Sequence, residues 1–116
     1  MIQANELRIG NKILYTHTEY ESLINTVTVE DIEQCLIDNC GFNKIHAPIL
    51  LTEEIFIKLG FKRLSLNKFS IGSFFIHFEG NLIMCVKSGV LLTTVHQLQN
   101  LYFAVINQEL NINNLK

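Results

Sequence analysis

No stretch of the sequence approaches the roughly 18 consecutive apolar residues that a membrane-spanning helix requires. Ala47 to Leu51, for example, is short and carries Pro48. At the start, Gln3, Asn5 and Glu6 stand where a secretory leader would place basic charge and then an apolar stretch, so the expectation is a non-exported, cytoplasmic chain. The three cysteines, Cys35, Cys40 and Cys85, form no C-x-x-C pair and are odd in number, which predicts reduced, buried and inert thiols rather than a disulfide framework. Neither a G-x-G-x-x-G loop nor a P-loop is present to cradle a phosphate, and no G-x-S-x-G marks a nucleophile. The chain is therefore read as non-enzymatic, with no catalytic residue, no metal ligand and no cofactor site.

Histidine is the nearest thing to an exception. No two of His17, His46, His77 and His96 stand at the i, i+4 spacing that converges ligands on a helix face. Cys35, Cys40 and His46 have the most metal-like spacing but lack a clear fourth ligand, and ordinary structural roles are the expectation for all three. His77 sits within an apolar strand pattern and reads as a structural histidine.

What is present suffices for one core. With 116 residues, 48% of them apolar and 17% charged, the chain can bury enough surface to offset its ordering entropy. With no repeat and no Pro/Gly/Ser linker, residues 1–116 read as a single α+β domain.

Gly10-Asn11 followed by Ile13, Leu14 and Tyr15 predicts a turn and then a strand. Thr52, with Glu53 and Glu54 in the first turn and Gly60 past the end, predicts a short helix. Alternating segments from Phe61 to Thr94, separated by Glu79-Gly80-Asn81 and Ser88-Gly89, predict an antiparallel β-meander. Thr94 with Gln97 three residues on begins an amphipathic helix that should run to about Asn107. Ile24 to Ile37 is ambiguous: Thr26-Val27-Thr28-Val29 is β-branched and alternating, yet Thr28 could cap a helix with Val29, Ile32, Cys35 and Leu36 on one face.

Charge is unevenly distributed. The formal net charge of −2 argues against a general nucleic-acid coat. Yet Glu19, Glu21, Glu30, Asp31, Glu33 and Asp38 lie in one stretch with no Lys or Arg. Such a stretch is ordinarily a solvated face, but an array of carboxylates can also dock on a basic channel that normally holds DNA or RNA. Lys58, Lys62, Arg63 and Lys68, interleaved with Phe61 and Phe69, read either as a solvated helix end above buried rings or as a nucleic-acid patch. His96, Asn100, Phe103 and Asn107 form a helix row that reads as an aromatic anchor in a polar rim, or with Phe103 simply buried.

Three stretches, Ala4-Asn5-Glu6-Leu7-Arg8-Ile9-Gly10-Asn11, Pro48-Ile49-Leu50-Leu51-Thr52-Glu53-Glu54 and His96-Gln97-Leu98-Gln99-Asn100-Leu101-Tyr102-Phe103-Ala104, resemble those of small bacteriophage and mobile-element proteins. Members of that set usually continue with Thr-Gly-Glu-Glu-Leu, where this chain has Ile106-Asn107-Gln108-Glu109-Leu110; asparagine can also take the helix-ending turn. The resemblance implies a small N-terminal β-barrel followed by helix, meander and helix, and so favours strands over Ile24 to Ile37. It implies no enzymatic activity. It does imply a context, a bacterial host cell, and a mode of action, binding a macromolecule there; small acidic phage proteins of comparable kind include anti-CRISPR inhibitors. The resulting expectation is a protein-binding module acting through Glu30, Asp31, Glu33, His96, Asn100 and Phe103 on a host protein, for example an RNA- or DNA-guided defence nuclease. The alternative expectation is direct RNA or DNA binding through Lys58, Lys62, Arg63 and Lys68.

Overall fold

A strand and a helix meet at Thr28, and this junction organises the first half of the chain. The structure is a computed structural model that describes residues 1–16, 23–112 and 115. After β1 (Lys12–Tyr15) comes β2 (Leu23–Thr26), and then a nine-residue helix, α1 (Val29–Ile37), in place of the strands expected through Ile37. Thr28 and Asp31 form a reciprocal capping box: Thr28 Oγ1 accepts from Asp31 N at 3.3 Å, and Asp31 Oδ2 accepts from Thr28 N at 2.9 Å. Ile32 and Cys35 then turn toward the core at helical spacing. These two signals outweigh the β-branched run, whose preference survives only up to Thr26.

Asp38 ends α1 and caps α2 (Asn39–Ile45), its side chain accepting from Gly41 N at 3.0 Å. A side chain at Gly41 would collide with that carboxylate, so the cap requires glycine there. β3 (His46–Ala47) follows and pairs antiparallel with β1, giving a three-stranded sheet in the order β2-β1-β3. This sheet is open; among the described residues it does not close into the barrel implied by the resemblance.

The helix expected from Thr52 is α3 (Glu53–Lys58), capped by Thr52 Oγ1, which accepts from Ile55 N at 3.2 Å. The meander is five antiparallel strands in sequential order: β4 (Lys62–Ser65), β5 (Lys68–Ile71), β6 (Phe74–Glu79), β7 (Leu82–Cys85) and β8 (Leu91–Leu92). The last helix, α4 (Val95–Ile106), starts at Thr94, whose Oγ1 accepts from Gln97 N at 3.3 Å. It ends on Asn107 at φ +62°, the left-handed turn that usually calls for glycine. Among the described residues, no helix is long and apolar enough to cross a membrane.

The chain clusters into two compact units, each assembled from separate stretches, so no linker composition marks them. The first comprises residues 1–49 and 94–100, the second residues 50–93 and 101–116. The uneven charge follows this division: seven acids and three bases fall in the first, four acids and six bases in the second.

The core of the first unit is Ile2, Ile13, Val27, Cys35 and Phe42, with Ala4, Leu7 and Ile32 packed against it. The N-terminal segment is held by side-chain amides: Asn43 Oδ1 accepts from Ile2 N at 2.8 Å, and Asn39 Nδ2 and Asn43 Nδ2 both donate to Ile2 O. In the second unit the inner face of the sheet presents Phe69, Phe74 and Ile76, all buried, and Phe56 of α3 packs on Phe61, Phe69 and Phe78 at ring separations of 5.0 to 5.8 Å. Tyr102 meets Phe74 edge-on at 5.2 Å.

Candidate functional site

In the first unit α1, α2 and the β1–β3 pair enclose an open groove of about 540 Å³. Its ring-bearing lining is Tyr15, Phe42 and His46; its polar lining is Asn25, Glu30, Asp31 and Gln34. His46 stacks on Phe42 with centroids 4.0 Å apart and meets Tyr15 edge-on at 5.5 Å. Its Nδ1 lies 3.0 Å from Phe42 O, a carbonyl that can only accept, so Nδ1 donates and the ring orientation is fixed.

Among the described residues, two carboxylates and no Lys or Arg line this groove. Asp31 is partly committed, because its Oδ2 holds the helix cap and lies 3.5 Å from Asn25 Nδ2. Glu30 is exposed and makes no side-chain hydrogen bond or ion pair among the described residues. The two acids also sit in the first turn of α1, where the helix dipole stabilises negative charge. Glu33 lies on the same helix, exposed, but outside the groove. Glu19 and Glu21 lie outside the described residues, as does His17.

The expected helix-row site divides: His96 and Asn100 turn inward, whereas Phe103 and Asn107 stay exposed. His96 is completely buried, its Nε2 3.1 Å from Glu6 Oε2, and its Nδ1 has no partner among the described residues. Asn100 Oδ1 accepts from Arg8 Nε at 3.1 Å and from buried Asn11 Nδ2 at 2.8 Å, while Asn100 Nδ2 donates to Glu6 O at 2.7 Å. Gln99 bridges the start of β1: its Oε1 accepts from Lys12 N at 2.7 Å and its Nε2 donates to Gly10 O at 3.2 Å. Gly10, at φ +94°, provides the left-handed turn that this bridge spans. Thus His96 and Asn100 bind Glu6, Arg8 and Asn11 of the chain's own N-terminal segment rather than presenting a rim. The Ala4–Asn11 stretch and the first half of the His96–Ala104 stretch, far apart in sequence, meet in this network. Phe103 is 38% exposed.

The basic cluster also separates. Lys58 pairs with Glu54 at 3.5 Å, and Arg63 pairs with Glu53 at 2.6 Å while lying 5.0 Å from the Phe69 ring centre. Phe61 and Phe69 are buried. Lys62 and Lys68 are exposed and without ion-pair partners among the described residues.

Cys35, Cys40 and His46 do not converge. Cys35 is buried beside Ile2 O and Asn39 Nδ2, Cys40 is exposed rather than buried, and His46 is held by Phe42. Among the described residues no group of three or more His, Cys, Asp or Glu side chains is placed to hold a metal ion.

Of the groove's lining the sequence singles out Glu30 and Asp31 as partner-binding candidates and His46 only as a metal-like one, whereas Tyr15, Asn25, Gln34 and Phe42 come from four different elements and carry no shared spacing. Comparison with protein-family models, with curated proteins and with solved structures returned no match.

Proposed function

We propose that the chain is a non-enzymatic binding module whose groove takes a basic, arginine-bearing segment of a partner protein. The observation that carries this reading is the meeting of Glu30, unpartnered among the described residues, and half-committed Asp31 with the half-buried Tyr15 ring in one open groove floored by buried Phe42 and His46. A guanidinium gains on both counts, by charge attraction to carboxylates and by stacking on aromatic faces. The seven acids of this unit add a long-range field that speeds encounter with a cationic surface.

The resemblance to phage and mobile-element proteins gives this partner a context. It is a bacterial host protein, and the basic channel of a nucleic-acid-guided nuclease has the chemistry that suits an acidic groove, with inhibition by occupancy as the effect. His46 is committed by its Nδ1 bond and its stacking on Phe42, which supports a recognition role for the groove rather than proton transfer.

Charge reversal tests the reading. Glu30→Lys replaces an attraction with a repulsion, each worth up to about 1 kcal/mol at an exposed site, so affinity for a fluorescent oligo-arginine peptide should fall by up to about thirtyfold. Asp31 is left in place because its loss would also remove the helix cap. An unchanged affinity in Glu30→Lys would refute the groove as the binding site.

A further inference from the structure

The second unit carries a separate candidate site on the outer face of its sheet, independent of the acidic groove. Register places Lys62 opposite Ser70 and Ser70 opposite Phe75, so the three side chains form one row across β4, β5 and β6. Directly opposed residues project to the same face, and Phe69, Phe74 and Ile76 occupy the other one. Lys68 and His77, opposite each other, share the outer face two residues along each strand.

Each member of the row has an unusual feature. Phe75 is a large aromatic 43% exposed on the same face as the two lysines, and this placement of a ring beside cations is what sets it apart from the chain's other exposed apolar side chains. Lys62 and Lys68 are exposed cations without ion-pair partners among the described residues. Ser70 is only 8% exposed, yet its hydroxyl makes no side-chain hydrogen bond among the described residues. Ser70 and Lys62 line a hollow of about 290 Å³ with Gly60, Ile71 and Gly72. That is room for roughly ten waters at about 30 Å³ each, ample for a phosphate group.

We infer that this face binds single-stranded nucleic acid, with a backbone phosphate at Lys62 and Ser70, a base stacked on Phe75, and a neighbouring phosphate near Lys68 and His77. A single strand repeats an anion and a flat apolar ring at short intervals, which is the alternation the row offers. An acidic peptide would satisfy the lysines but has no ring face for Phe75. The six bases against four acids in this unit favour a polyanion. Lys58 and Arg63 are not part of the site, since both are paired with acids of α3.

The test is fluorescence anisotropy of a labelled oligothymidylate of ~15 nucleotides with the full chain at low salt. The inference predicts saturable binding that Phe75→Ala weakens about fivefold or more, through loss of one stacked base. Lys62→Ala should reduce the slope of log affinity against log salt by about 0.7, one phosphate contact on a single strand. Phe75→Leu, which keeps apolar area without a ring face, should behave like the alanine variant and guards against misfolding as the cause. Absence of binding, parent-like affinity in both Phe75 variants, or equal displacement of the oligonucleotide by an oligoglutamate peptide would each overturn the inference, the last by pointing to an acidic protein instead.

Discussion

Gln99 gives the sharpest test of how the first unit is held together, because its side chain stands in for a strand. Its amide accepts from Lys12 N at 2.7 Å and donates to Gly10 O at 3.2 Å, and it is itself only 3% exposed. Gln99→Leu keeps the volume close to that of the amide, so no cavity is opened, and removes only the two hydrogen bonds. The backbone N–H of Lys12 and the carbonyl of Gly10 then lose their partners in a part-buried setting. Each such orphan costs about 1–3 kcal/mol, and the apolar replacement recovers some of this, leaving a net destabilisation of about 2–3 kcal/mol. Against the ~5–15 kcal/mol typical of a folded domain, that is a large fraction. Urea denaturation followed by far-ultraviolet circular dichroism would measure the loss, and amide hydrogen exchange would show faster exchange at Lys12. A change below about 0.5 kcal/mol together with an equally protected Lys12 amide would refute the strand-mimic argument.

Other expectations are simpler. Thr28→Ala removes one half of the capping box on α1 and should cost about 1 kcal/mol in the same denaturation assay, whereas Thr28→Asp should keep most of the stability. Of the three thiols, Cys40 alone is exposed, so a thiol-reactive chromogenic disulfide should modify one cysteine quickly in the native protein and reach Cys35 and Cys85 only after unfolding.

The elements with strong local punctuation were legible in the sequence. Thr52 with two glutamates, Thr94 with Gln97, and the glycine-bearing turns of the meander each fix a boundary through one local hydrogen bond or one positive φ, and the structure places them as expected. Thr28 was legible too, as a helix cap, and the acid three residues on completes a capping box that overrides the strands implied by the resemblance. The N-terminal network was not legible, because it joins Glu6, Arg8, Gly10 and Asn11 to His96, Gln99 and Asn100 across about ninety intervening residues. A polar helix row looks the same in sequence whether it meets water, a partner or the chain's own terminus. The basic cluster misled for a related reason. Strand alternation and pairing to α3 separate Lys62 and Lys68 from Lys58 and Arg63, although all four are close in sequence.

The groove is the central claim, and mapping its occupant tests it most directly. Titration of a short oligo-arginine peptide into isotope-labelled protein, followed by amide chemical shifts, should move the signals of Tyr15, Gln34, Gly41 and His46 saturably, and Glu30→Lys should move that saturation to higher peptide concentration. Peptide-induced shifts confined to residues outside the groove, or saturation at an unchanged peptide concentration in Glu30→Lys, would contradict the account.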